Sequence, residues 1–118
     1  MPSSKSKLGT QGESIAAAHL EAQGMRIIDR NFHTRYGEVD LIAEEGDAIV
    51  FVEVKTRRTG AYGTPEESVM PRKRERLLLT AQTYLQQHEL DQRTWRIDVV
   101  AIRLQANGPA TINHIQAI

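Results

Sequence analysis

The chain contains no cysteine. Disulfides, thiolate zinc centres and cysteine nucleophiles are excluded together, and the absence suits a reducing compartment. No apolar run approaches the roughly 18 residues of a membrane helix. The serines and lysines of residues 1–9 precede no apolar stretch of the kind a secretory signal carries. No phosphate-cradling Gly-rich loop, dinucleotide fingerprint or Gly-x-Ser-x-Gly elbow occurs. His19, His33, His88 and His114 show no metal-ligand spacing. The formal net charge is 0, which sets the chain apart from uniformly basic nucleic-acid binders. These exclusions leave a cytoplasmic protein, with no membrane partner, as the expectation.

What is present is globular. Hydrophobic residues make up 40% of 118 residues, enough for one domain with a core that needs no covalent staple. The expected organisation is a flexible N-terminal tail over residues 1–9 and a single domain over 10–118. Thr10 to about Gln23 reads as a helix rich in alanine and ending at Gly24. Strand-like runs follow at Met25–Asn31, Glu38–Ala43 and Ala48–Lys55. Residues 56–70 have no clear period and read as a long loop, a feature that is usually functional in a compact domain. A second helix is expected from Pro71 to about Gln87, burying Leu77, Leu78, Ala81, Tyr84 and Leu85. Trp95–Leu104 and Ala110–Ile115 complete the order α-β-β-β-α-β-β, an α/β fold with a mixed central sheet flanked by helices.

The charges are segregated along this order. Residues 38–53 hold six acids and no lysine or arginine, whereas residues 54–76 hold seven bases against three acids. A hairpin of Glu38–Ala43 with Ala48–Lys55, closed by a four-residue loop at 44–47, would pair Ile42 with Ile49, Asp40 with Phe51 and Glu38 with Glu53. Period-2 alternation then puts Val39, Leu41, Ala43, Ala48, Val50, Val52 and Val54 on one apolar face. The other face is apolar near the turn, through Ile42, Ile49 and Phe51, and charged at its far end, through Glu38, Asp40, Glu53 and Lys55. Like charges facing each other on a sheet are destabilising, so this end calls for a cation. All-oxygen donors favour Mg²⁺ or Mn²⁺ over zinc. Asp40, Glu53 and the Val54 carbonyl are the candidate metal donors, and Lys55 is placed to hold a water or to neutralise charge growing on a phosphate. Arg57 and Arg58 follow as candidate phosphate contacts.

Gly37-Glu38-Val39-Asp40, followed by Phe51-Val52-Glu53-Val54-Lys55-Thr56-Arg57, resembles the PD-(D/E)-x-K core of the restriction-endonuclease-like superfamily. The chain is similar to archaeal Holliday-junction resolvases and, over nearly its whole length, to the small bacterial YraN-like family. That likeness includes Gly12-Glu13, Ser68-Val69, Arg72-Lys73 and Asp98-Val99-Val100-Ala101. Val39 stands where the superfamily motif has proline. The resemblance implies a restriction-endonuclease-like fold and a metal-dependent endonuclease acting on DNA, branched or single-stranded, as a homodimer. It implies Glu13, Asp40, Glu53 and Lys55 as the catalytic set.

Each residue also has a plainer reading. Thr10-Gln11-Gly12-Glu13 spells a capping box in which Glu13 bonds back to the helix start. Glu38 reads as a supporting acid or an exposed strand residue. Arg72, Lys73, Arg74 and Arg76 sit in the first turns of a helix, where the macrodipole disfavours positive charge, so they read as a phosphate grip or as a solvated basic end. Gln82 is a supporting candidate on the same helix, against ordinary helix surface. Asp98 reads as a buried acid paired with arginine. Tyr36 and Tyr62 are loop aromatics able to stack on bases. The alternatives to an enzyme are a catalytically silent nucleic-acid-binding module in a DNA-processing or recombination complex, and an interaction protein whose acidic hairpin end merely pairs with the basic helix.

Overall fold

The structure, a computed structural model, describes residues 7–58 and 71–116. Its elements are α1 (Lys7–Ala22), β1 (Arg26–Thr34), β2 (Gly37–Glu45), β3 (Ala48–Arg58), α2 (Pro71–Gln87), β4 (Trp95–Leu104) and β5 (Thr111–Gln116). The order is the expected one. The strands form one mixed sheet, β1-β2-β3-β4-β5, in which only β3 and β4 run parallel. A parallel neighbour requires a crossover connection, and the segment carrying α2 provides it. Among the described residues no helix is long and apolar enough to cross a membrane.

The two helices cover opposite faces. On one face Ala16, Ala17 and Leu20 of α1 pack with Leu41, Ala43, Val50, Val52, Val100 and Ile102. On the other, Leu77, Ala81, Tyr84 and Leu85 of α2 pack with Ile42, Ile49, Phe51 and Ile97. Leu78 is only partly buried at the margin of this second cluster. Aromatic side chains are 5% of the sequence, yet four of them join here edge to face. Tyr84 meets Phe32 at 5.0 Å and Phe51 at 5.8 Å, and Phe51 meets Trp95 at 6.0 Å. Such pairs contribute about 0.5–1.5 kcal/mol each beyond their buried area, and they tie α2 to three strands at once.

Several boundaries differ from expectation for identifiable reasons. α1 begins at Lys7, so Thr10 lies inside the helix and the Thr10–Glu13 capping box does not form. Leu8 and Gly9 are partly buried in this added turn. β3 runs on to Arg58, which makes Thr56, Arg57 and Arg58 strand rather than loop; residues 59–70 of the expected loop lie outside the described residues. The hairpin closes on the two residues Gly46 and Asp47, with Glu45 opposite Ala48, instead of on the expected 44–47. Gly46 has φ 58°, the left-handed conformation that permits a tight turn. Glu44 and Glu45 are held in the strand by ion pairs, Glu44 to Arg93 at 2.9 Å and Glu45 to Arg96 at 2.9 Å.

This register is two residues away from the expected one. Ile42 now faces Phe51 and Leu41 faces Val52. A shift of two keeps every side chain on its face, whereas a shift of one would invert them all. Glu38 does lose its expected partner, because it pairs across to His33 of β1 instead of Glu53. Val39 is a second correction: it packs with Ile42 and Phe51 on the α2 side, not with Leu41.

α1 meets β3 at a point with no room. A Cβ on Gly12 would stand 1.8 Å from Thr56 Oγ1 and 2.9 Å from Thr56 Cβ. Gly12→Ala is therefore expected to destabilise the fold by about 1–3 kcal/mol, the usual range for overpacking, measured as a lower urea midpoint. Thr56→Ala in the same chain should recover part of the loss. An unchanged midpoint in Gly12→Ala would show that α1 does not seat here.

Candidate active site

The site begins where two strands part. The β2–β3 ladder stops after the Leu41/Val52 pair. Beyond it a side chain takes over from the backbone: Val54 N–H donates to Asp40 Oδ2 at 2.7 Å. On the other side of β2, Arg30/Leu41 and Phe32/Val39 bracket Asn31, which has φ 53°. A non-glycine residue in this conformation interrupts regular pleating, and it does so at the level of Asp40. Strict alternation fails at the same level, which accounts for the displacement of Val39 to the α2 face.

The parting leaves a cleft of about 630 Å³. Its walls are Tyr36 of the β1–β2 turn, Gly37, Glu38 and Asp40 of β2, Glu53, Val54 and Lys55 of β3, and Arg72, Lys73, Arg76 and Leu77 of α2. Asp40 is 6% exposed and Glu53 5%. Two ammonium groups meet one oxygen of this buried pair, Lys73 Nζ at 2.5 Å and Lys55 Nζ at 3.3 Å from Glu53 Oε2.

The electrostatics follow from that crowding. Burial, and then the neighbouring Asp40 carboxylate, push the Glu53 carboxyl above its ordinary range, against the pull of Lys73 and Lys55. Burial, and then its contact with Lys73, hold the Lys55 ammonium below its ordinary value. Burial also works against Lys73, but its hydrogen bond to Glu53 and its contact with Lys55 outweigh that, and Lys73 stands above its ordinary value. A raised carboxyl beside a lowered amine is the pattern that acid–base sites use.

The sequence-derived candidates divide here. Asp40, Glu53, Val54, Lys55, Glu38, Arg72, Lys73 and Arg76 all line the cleft. Five others do not. Glu13 is buried on α1, next to the Gly12–Thr56 contact, and is not part of the cleft wall. Arg57 donates to the Thr56 carbonyl at 3.3 Å. Arg58 borders a separate hollow with Leu104, Gln105 and Ala106. Arg74 and Gln82 are exposed on α2, Gln82 because it stands about 100° around the helix from buried Ala81.

Pairing of the acidic hairpin end with the basic helix stood among the sequence alternatives, and the structure makes Lys73 the residue that pairs with Glu53; a signal for that choice existed. Lys73 lies four residues before Leu77, on the same helical face as the apolar stripe. Tyr36 at the cleft mouth carries the Arg35 guanidinium over its ring at 5.1 Å. Asp98 is the buried acid expected: it is fully buried and receives Arg96 Nε at 3.0 Å, with His114 Nε2 at 2.7 Å.

The donor set suits a hard divalent ion. Two carboxylates and the Val54 carbonyl offer oxygen, and the two ammonium groups drawn to Glu53 show how strongly the place attracts positive charge. No group of three or more His, Cys, Asp or Glu residues is placed to hold a metal among the described residues. An ion here would therefore complete its shell with water.

Comparison with known proteins gives a consistent picture. The family described as "Uncharacterised protein family UPF0102" matches residues 12–102. A UPF0102 protein of Rhodococcus opacus is 50% identical over 109 residues, covering 92% of each chain. One of Syntrophomonas wolfei is 49% identical over 109 residues, covering 92% of this chain and 94% of the relative. One of an Arthrobacter species is 43% identical over 114 residues, covering 97% of each.

The crowding of Asp40 and Glu53 makes a direct prediction. Asp40→Asn removes the like charge, so Glu53 should titrate at lower pH than in the wild type when followed by carboxyl ¹³C NMR. The sign for stability follows: a carboxyl raised on folding withdraws stability as pH rises from its unfolded to its folded value. Asp40→Asn should flatten that decline in urea titrations across the same window. A Glu53 titration that stays put or moves up would remove the proposed coupling.

Proposed function

The chain belongs to the UPF0102 family, whose name assigns no reaction, and from its cleft we propose a metal-dependent endonuclease that hydrolyses phosphodiester bonds in DNA. The reading rests on one observation: two buried carboxylates from strands that part, sharing a cleft with two lysines and two arginines. The Asp40-x(12)-Glu53-x-Lys55 pattern supports a restriction-endonuclease-like core, and the five-stranded sheet with a helix on each face is compatible with it.

Asp40, Glu53 and the Val54 carbonyl would hold Mg²⁺ or Mn²⁺. Such an ion lowers the pKa of a bound water and draws charge from a phosphate. Lys55 shares the face of Glu53 and can orient the attacking water or neutralise charge growing on the phosphate. Burial, and then its contact with Lys73, hold its ammonium below the ordinary lysine value. Arg72 and Arg76 form the wall opposite the carboxylates and supply guanidinium donors for phosphate oxygens. Glu38, with His33 Nε2 at 3.2 Å, marks the rim. Glu13 joins this set only through the resemblance. Substrate form, branched or single-stranded, follows from the resemblance to junction resolvases, as does a homodimer.

The test compares wild type, Lys55→Ala and Asp40→Asn with Mg²⁺ and Mn²⁺ on four-way, flapped, single-stranded and linear DNA. Each substitution should lower the cleavage rate at least about 100-fold, the scale of a lost acid–base group. Equal cleavage by wild type and Lys55→Ala would overturn the mechanism. Metal-dependent DNA binding without cleavage would favour a silent binding module in a DNA-processing complex.

A further inference from the structure

Glu53 is touched by a lysine from its own strand and by one from another element. Lys55 reaches it along β3, whereas Lys73 reaches it from the first turn of α2, across the cleft. Lys73 is also the nearer, and its side chain is 35% exposed, so it has room to leave. Its neighbours on that wall, Arg72 and Arg76, face the same cleft. A long ammonium side chain is a mobile point charge, able to exchange one anionic partner for another without refolding its helix.

We propose, resting on the nuclease reading above, that Lys73 is a placeholder cation that a divalent ion displaces from Glu53 and so releases to the substrate phosphate. Before the ion arrives, Lys73 compensates the Asp40–Glu53 pair and keeps the carboxylates from repelling each other. Glu53 Oε2 already carries two ammonium groups, so a divalent ion there would be a third cation on one oxygen, and Lys73, which comes from another element, is the one placed to leave. Displaced, Lys73 joins Arg72 and Arg76 on the cleft wall and completes a cationic cradle. Metal binding thereby raises affinity for nucleic acid, and by linkage nucleic acid raises affinity for the metal by the same factor. Lys73 is a positioning residue in this scheme.

Two measurements on the full chain test it. The first is acylation of lysines by an N-hydroxysuccinimide ester, read by peptide mass spectrometry with exposed Lys7 as internal reference. Lys73 should be protected without metal and labelled severalfold faster with Mn²⁺, with a midpoint equal to the Mn²⁺ dissociation constant from calorimetry. The second is fluorescence anisotropy of a labelled four-way DNA with EDTA or Ca²⁺. Wild type should gain about 10-fold in affinity with Ca²⁺, within the usual span of coupled sites, and Lys73→Met should lose most of that gain while binding Mn²⁺ more tightly than wild type. Mn²⁺ binding that leaves Lys73 labelling unchanged overturns the exchange, as does an equal Ca²⁺-dependent gain in both proteins. A wild type that binds no Mn²⁺ overturns the metal reading itself, a result distinct from failure of the exchange alone.

Discussion

Two carboxylates withdrawn from water beside each other require positive charge close by, in every state the protein visits. Removing one partner from a buried ion pair costs about 3–5 kcal/mol because the other is left uncompensated. Asp40 and Glu53 set this requirement, and the surroundings are arranged to meet it. The Asp40 carboxylate takes a backbone N–H from Val54, and Glu53 draws two ammonium groups onto one oxygen. Glu53 is the strained member, since burial and Asp40 both favour its neutral form. A doubly charged ion would relieve that pressure more fully than a single ammonium. On the nuclease reading proposed above, the same feature that threatens stability would be the one that selects a divalent ion.

The fold makes the requirement tolerable by separating it from the core. Along β2 and β3 the α2 face is closed at the turn end by Tyr84, Leu85 and the aromatic contacts, and opens at the other end. One helix therefore serves both regions. From Leu77 onward α2 packs on the sheet, while its first turn lies over the cleft and carries the basic residues. The face under α1 is apolar along the same strands, and the Gly12–Thr56 contact brings that helix close. Any shift of α2 large enough to disturb the stripe would also move Lys73 and Arg76 relative to Glu53, which couples packing to chemistry.

Much of this was legible in the sequence because the informative signals were periodic. The face on which Asp40, Glu53 and Lys55 lie depends only on the parity of their positions, so it survived an error of two residues in hairpin register. The register itself depended on whether Gly46 would adopt a left-handed turn and whether Arg93 and Arg96 would hold Glu44 and Glu45 in the strand. Those arginines come from a distant part of the chain, and no local pattern announces them. Val39 broke parity for a similar reason, through the left-handed Asn31 on the adjoining strand. The start of α1 differs from the expected Thr10 because the helix runs back to Lys7 and takes Thr10 into its interior. Gln82, a supporting candidate on α2, faces solvent, whereas Lys73, one of four bases named as a group, has a specific partner.

A second buried acid, Asp98, shows why burial alone does not mark a site. It is more deeply buried than Glu53, yet its partners are of a different kind. Arg96 donates to both of its oxygens, at 3.0 and 3.3 Å, and is itself anchored to Glu45. His114 donates at 2.7 Å and leads on to His19 of α1 at 3.2 Å. A guanidinium fork fixed at both ends holds a carboxylate in place and leaves it little capacity for a further ligand. The result is a strut that ties β4 and β5 to α1. Glu53 is balanced instead by flexible ammonium groups at the edge of an open cleft, and these can be exchanged for something else. The distinction between a structural acid and one open to a ligand therefore lies in whether its compensating charge can leave, and by that criterion Asp40 and Glu53 are the acids that fit the proposed chemistry.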